Sequence, residues 1–184
     1  KALASVEELS DVRLIPVQLP LGEKADFKGV IDLLSMKAYK GDGKTASEIP
    51  AEFKAAAEKP RTALIEAAAE SDNELMERYF ENGDLSPEET LRGLKSIVRT
   101  CTFRPVFVSS AVMSIGVAAL MNAVIDLFPS PADVAPATAE GKEGPEALPC
   151  VDNGPLAAYV WKTTADPFVG KQTYFRIYSG MLNS

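Results

Sequence analysis

Val12-Arg13-Leu14-Ile15-Pro16-Val17-Gln18-Leu19, followed by Pro20 and Gly22, is the stretch from which the fold of this chain is best read. Val12, Leu14, Ile15, Val17 and Leu19 make a short apolar run closed by turn residues, which reads as one strand. Downstream, Gly29 to Tyr39 reads as two more short strands, and Gly41-Asp42-Gly43 as a turn. Together these segments predict a small antiparallel sheet. Upstream, Lys1 to Leu9 reads as the tail of a helix with no start signal of its own.

Helices follow the sheet. One opens at Ile49-Pro50 and runs to about Ser71, with Phe53, Ala57, Leu64, Ile65 and Ala68 as its inner face. Pro60 inside it removes a backbone donor and predicts a kink or break near Lys59. A second spans about Asn73 to Asn82, stopped by Gly83. The third starts at Ser86-Pro87-Glu88-Glu89: a capping serine, a proline at the first helical position and a glutamate able to reach back. Leu91, Leu94, Val98 and Cys101 recur along it at helical spacing.

Arg104 to Ser110 then reads as a buried strand. Gly116 to Phe128 reads as an amphipathic helix with Val117, Leu120, Met121, Val124 and Leu127 inward. Six of the thirteen prolines lie between Pro129 and Pro155, and that stretch reads as a linker. Leu156 to Thr164 and Gln172 to Tyr178 read as strands joined at Asp166-Pro167-Phe168-Val169-Gly170, with Trp161 and Phe175 expected in their core. The last residues stop just after a strand and a turn, so both ends read as cut from something longer. The class is α+β.

Bulk composition excludes more than it identifies. Hydrophobic residues are 46% and charged residues 24% of 184, ordinary for a folded soluble chain. The net charge is −7, which argues against a general nucleic-acid grip, since phosphates demand clustered Lys and Arg. The absence of histidine removes His-dependent triads and imidazole metal sites, and two distant cysteines, Cys101 and Cys150, do not make a zinc site. The cysteines are expected as reduced thiols. No apolar run reaches transmembrane length.

Two motifs with chemical promise fail. Gly43-Lys44-Thr45 matches the end of a phosphate-binding P-loop, but the glycine required five residues earlier is Ala38. A hairpin turn is the better reading. Asp26-Phe27-Lys28-Gly29 matches a loose Asp-x-x-Gly pattern and also reads as a turn. The acidic residues stand out instead. From Glu48 to Gly93 there are twelve acids against five bases, a net −7 that accounts for the whole chain's imbalance. Glu66, Glu70 and Glu74 are four apart and line one face of any continuous helix through them. Such a surface is either solvated or a docking face for a basic partner.

Three runs resemble the elongation factor G family of translational GTPases. They are Ile15-Pro16-Val17-Gln18-Leu19-Pro20-Leu21-Gly22 with Phe27 to Leu34, then Ala123 to Pro131, then Thr164 to Gly170 with Phe175 to Gly180. The resemblance covers nearly the whole chain and implies a layout. Residues 1–11 would be a helix of the GTPase domain, and 12–102 a subdomain inserted into it, with its antiparallel sheet and about three helices. Residues 103–131 would be the last strand and helix of the P-loop GTPase domain, 132–155 a linker, and 156–184 the opening strands of a β-barrel domain.

The resemblance also implies roles. Ser110-Ala111-Val112-Met113 falls where the family has a Ser-Ala-x-Lys guanine-nucleotide motif, so Ser110, Ala111 and Met113 are the expected nucleotide-binding residues. Met113 in place of lysine loses a charge and points to a divergent paralogue. GTP and magnesium would belong to the whole parent protein, with no cofactor in this chain and no catalytic residue. Leu64-Ile65-Glu66-Ala67-Ala68-Ala69-Glu70 resembles the acidic helix that engages the C-terminal domain of the ribosomal stalk protein, making Glu66, Glu70 and Glu74 the expected partner-binding residues. The implied setting is the ribosome, in the cytoplasm, without a membrane. The alternatives are an acidic interaction or scaffold domain outside GTP hydrolysis and, more remotely, an independent NTPase using Gly43-Lys44-Thr45.

Overall fold

A computed structural model of the chain describes residues 2–41, 43, 45–142 and 144–183. It holds two units, Lys1–Phe128 and Pro129–Ser184. The class is α+β, with small antiparallel sheets and several helices.

The first unit opens with α1 (Ala2–Glu7) and β1 (Leu14–Pro16). The apolar run Val12 to Leu19 is not one strand. It divides at Val17 into β1 and β2 (Gln18–Leu21), which lie in different sheets. β1 pairs in parallel with β6 (Arg104–Val106), Leu14 opposite Arg104 and Pro16 opposite Val106. β2 starts an antiparallel sheet in the order β2-β3-β4-β5, where β3 is Gly29–Asp32, β4 is Lys37–Lys40 and β5 is Ala46–Ser47. Val17 is the junction: its N–H donates to the Val106 carbonyl at 2.9 Å and its carbonyl accepts from Leu33 N–H at 3.0 Å. Hydrophobic patterning reports burial and not which backbone is bonded, so a run buried by two successive sheets looks like one strand. β2 is an edge of its sheet, where a strand tolerates Pro20.

Three helices follow: α2 (Ala51–Glu70) and α4 (Pro87–Thr100), which pack in one core with the sheet residues, and α3 (Asn73–Asn82), which packs against α2. The break foreseen near Lys59 does not occur, because α2 continues through Pro60. The amide that Pro60 lacks would have bonded the carbonyl of Ala56, an exposed residue where water can take its place. α2 serves two cores. Ala57, Leu64 and Ala67 join Ile15, Val17, Ile31, Leu33, Leu94 and Ile97, while Ile65, Ala68 and Ala69 join Leu75 and Leu85. The small alanines let the neighbouring helices approach closely. Arg61, half-buried, donates from Nη1 to the carbonyls of Leu33 at 2.7 Å and Leu34 at 3.1 Å, tying α2 to the end of β3.

α3 begins where Asp72 Oδ1 accepts from Glu74 N–H at 2.8 Å, and it ends at Gly83 in the left-handed region. α4 carries the foreseen capping box: Glu89 N–H donates to Ser86 Oγ at 3.2 Å and Ser86 N–H to Glu89 Oε2 at 2.9 Å. Its buried residues are Thr90, Gly93, Leu94 and Ile97. Cys101, placed on this helix by its spacing with Leu94 and Val98, is exposed and just past its end, because the helix closes at Thr100 and the left-handed backbone at Cys101 carries it off the inner stripe.

The strand foreseen from Arg104 to Ser110 is shorter and shallower: β6 has three residues, and Phe107 and Val108 are half-buried. The helix foreseen from Gly116 is α5 (Val117–Leu127), but of its expected inner face only Leu127 is buried. Met121 and Val124 are exposed. The amphipathic stripe exists, and among the described residues of this unit no element covers most of it.

Among the described residues the second unit holds two hairpins. β7 (Ala137–Gly141) pairs with β8 (Gly144–Leu148) inside the proline-rich stretch that reads as a linker. Both strands of a two-stranded ribbon are edges, so Pro145 disturbs no second neighbour. β9 (Ala157–Asp166) and β10 (Gly170–Ser179) form the foreseen strand pair. Asp166 Oδ1 shapes their turn by accepting from Phe168 N–H at 2.8 Å and Val169 N–H at 2.9 Å, and these amides hold its carboxyl below the usual aspartate range. Trp161 and Phe175, expected in the core, are exposed, Trp161 at 59%. A two-stranded ribbon has two faces, and no second layer covers them among the described residues.

Candidate functional site

The acidic surface is assembled by α2, α3 and α4. Glu66 and Glu70 lie one turn apart on the exposed side of α2, among the buried Ile65, Ala67, Ala68 and Ala69 that anchor the helix. Glu74 does not extend their row. α2 stops at Glu70, and the Asp72 cap starts a new helix with Glu74 in its first turn. The single continuous face expected for Glu66, Glu70 and Glu74 is therefore two faces on two helices.

Their partners differ accordingly. Glu74 bonds Arg78 at 2.8 Å and Arg92 at 3.0 Å. Arg78 also bonds Glu89, and Arg92 reaches Asp72 at 3.8 Å. Two arginines thus serve three carboxylates and stitch α3 to α4. The Glu89 carboxyl is held below the usual glutamate range, first by the Ser86 amide and then by Arg78. The Arg78 guanidinium is pushed up, first by its bond to Glu89 and then by Glu74. Glu66 accepts from the Tyr79 hydroxyl at 3.5 Å, and the Tyr79 phenol is raised, chiefly by desolvation and then by the Glu66 charge. Glu70 has Arg13 at 3.9 Å. Arg13, Arg78 and Arg92 were not singled out in the sequence; the Glu74–Arg78 pair is an i,i+4 spacing that could have shown it, whereas Arg13–Glu70, Arg78–Glu89 and Arg92–Glu74 depend on packing between separate elements.

The Ser110–Met113 segment is a tight loop. Ser110 and Ile115 bridge it, with Ser110 N–H to the Ile115 carbonyl at 2.8 Å and the reverse bond at 3.1 Å. Met113 N–H donates to Ser110 Oγ at 3.4 Å. The loop is held from both sides. Gln18 of β2, almost fully buried, accepts from Val108 N–H at 3.3 Å. A Cβ on Gly116 would meet the Val108 carbonyl oxygen at 2.5 Å, so that position requires glycine. Ala111, Val112 and Met113 are exposed along the outer edge of the loop.

Among the described residues no group of three or more His, Cys, Asp or Glu stands together to hold a metal ion. A cavity of about 250 Å³ lies elsewhere in the first unit, lined by Gln18, Asp32, Leu34, Phe107, Asn122 and Asp126 among others; none of the six expected site residues lines it. In the P-loop-like triplet, Lys44 lies outside the described residues. Gly43 follows β4 in a left-handed conformation, and the two-residue strand β5 comes after it, where a phosphate loop would open a helix. Asp26 ends one turn of 3-10 helix and Gly29 starts β3, a turn as foreseen. Among the described residues no helix is long and apolar enough to cross a membrane.

Comparison with known proteins adds the missing context. Elongation factor G of Mycoplasma pneumoniae is 38% identical over 190 residues, an alignment that takes in 100% of this chain and 28% of that protein. A crystal structure of a protein from Thermus thermophilus matches with a TM-score of 0.73 and 29% identity, over 98% of this chain and 26% of that one. No protein-family profile matches the chain. Over its whole length the chain is therefore similar to a segment of elongation factor G, in keeping with the three runs that carry the resemblance, and its fold is that of the Thermus thermophilus protein. It spans between 26% and 28% of the length of these relatives.

Proposed function

We propose that the chain is a segment of a ribosome-associated translational GTPase acting in translocation during protein synthesis, in the cytoplasm. In this reading residues 12–102 form the inserted subdomain, 103–131 the end of the GTPase domain and 156–184 the start of a β-barrel domain. GTP and magnesium are handled by the whole protein. Ser110 and Ala111 offer their backbone to the guanine edge, and Met113 lies against the base where the family places a lysine. The chain alone carries no catalytic residue and serves docking and interdomain connection.

Docking is the role this chain can perform by itself. The observation that supports it is the placement of Glu66 and Glu70 on the exposed side of a helix that is rigidly anchored by buried alanines on its other side. A rigid helix presenting charges one turn apart fits a basic surface such as the C-terminal domain of the ribosomal stalk protein. Glu74 contributes from α3, with its charge shared by Arg78 and Arg92. Exposed charges mainly set encounter rate and orientation, so binding is weak and salt-sensitive.

An NMR titration of the labelled chain with the stalk protein's C-terminal domain tests this at low and high salt. Shifts in fast exchange should cluster on Glu66 and Glu70, extend to Glu74, and fade as salt rises. No shifts at millimolar partner would make the acidic face a solvated surface in this chain.

A further inference from the structure

Phe80 is 78% exposed on α3, while the same helix buries Leu75 and half-buries Met76 and Tyr79. It is the most exposed aromatic side chain among the described residues of the first unit; Phe128 follows at 55%. The nearby chain is acidic: Glu77 lies one turn before it on α3 and Glu81 next to it, both exposed, and Asp84, past the end of the helix, is exposed and pairs with Arg61 at 3.7 Å. Tyr79 connects it to the docking carboxylates: its ring lies 6.3 Å from that of Phe80, and its hydroxyl bonds Glu66.

We propose that Phe80 is the apolar anchor of the docking surface, filling a pocket rimmed by Lys or Arg on the partner. The inference rests on the docking reading above and adds a second kind of contact to it. The charge pattern selects the occupant. An anionic lipid surface or a nucleic acid is repelled by the carboxylates around Phe80, and a second copy of this chain would set like charges face to face. A protein with a basic rim around an apolar pocket meets both features at once. Long-range attraction then brings the partner in, and burial of the ring holds it, the arrangement in which one aromatic carries much of an interface. The two contributions respond differently to salt, because ions screen charges and leave apolar burial largely intact.

The experiment compares the chain, Phe80→Ala and the double variant Glu66→Gln/Glu70→Gln in titrations with the stalk protein's C-terminal domain, at low and high salt. Phe80 is exposed, so its truncation leaves the fold in place, checked by unchanged resonances away from α3. The anchor predicts that Phe80→Ala weakens binding about tenfold at both salts, the order expected of an interface aromatic. Phe80→Leu should recover part of that loss. The double variant should lose affinity at low salt and little at high salt. If Phe80→Ala binds like the unaltered chain while the double variant is weakened, the anchor is wrong and the docking reading stands. If the unaltered chain does not bind, both are wrong.

Discussion

Gly93→Ala should destabilise the first unit, although alanine is the better helix former. Gly93 is buried in the middle of α4. A Cβ there would sit 2.5 Å from the Ala68 carbonyl oxygen and 2.8 Å from the Ala68 Cα and Cβ on α2. Non-bonded carbon atoms prefer about 3.5–4.0 Å, so α2 and α4 would have to separate by roughly 1 Å. Overpacking of this kind costs about 1–3 kcal/mol, and the intrinsic gain of alanine over glycine in a helix returns about 1 kcal/mol. The net expectation is a loss of up to about 2 kcal/mol, which for a unit of this size lowers Tm by up to roughly 8 °C. All the helices among the described residues belong to the first unit, so helical circular dichroism during heating or urea unfolding follows that unit. A rise in stability of about 1 kcal/mol, the propensity gain alone, would refute the close contact between Gly93 and Ala68 and the packing of α2 built on it.

Further outcomes are expected. Ser86→Ala removes one half of the α4 capping box and should cost about 1 kcal/mol in urea unfolding, whereas no change would mean that the cap is not formed in solution. Glu89 has a folded-state pKa below its ordinary value of 4.5, so its stabilisation is present above that value and is lost as pH falls through the lowered one; Glu89→Gln should flatten the acid limb of stability against pH, and an unchanged limb would contradict the assignment. Asp166→Ala should speed hydrogen exchange at the Phe168 and Val169 amides in the β9–β10 turn while leaving α2 to α4 untouched, and unaltered exchange at both amides would rule out the turn described. Calorimetry with GTP should register no binding by this chain alone, and micromolar affinity would overturn its assignment as a non-catalytic segment.

Local chemistry was the legible part of the fold. The Ser86–Glu89 box, Gly83 and the start of α2 at Pro50 place the helices to within a residue or two, because caps and stops act on backbone groups a few positions away. The strands Gly29–Asp32 and Lys37–Lys40 followed from their turns. The exposed acidic side of α2 was legible in the same measure: Glu66 and Glu70 follow from their spacing alone. The Glu74–Arg78 pair was legible as an i,i+4 spacing on α3, but the partners of Arg13 and Arg92 and the Arg78–Glu89 pair depend on how helices and loops meet.

Residue order alone thus determined the class, the helix limits, the acidic balance of residues 48–93 and the relation to elongation factor G. These depend on side-chain chemistry and on neighbours within about one helical turn. Three-dimensional packing alone settled that Val17 divides one apolar run between two sheets, that α2 passes through Pro60, that Glu74 stands apart from Glu66 and Glu70, and that Trp161 and the outer face of α5 lie open. Each of those outcomes turns on which distant segment supplies the backbone partner, the opposite charge or the covering layer. A hydrophobic residue carries its preference for burial wherever it sits, but what buries it is contributed by the rest of the chain.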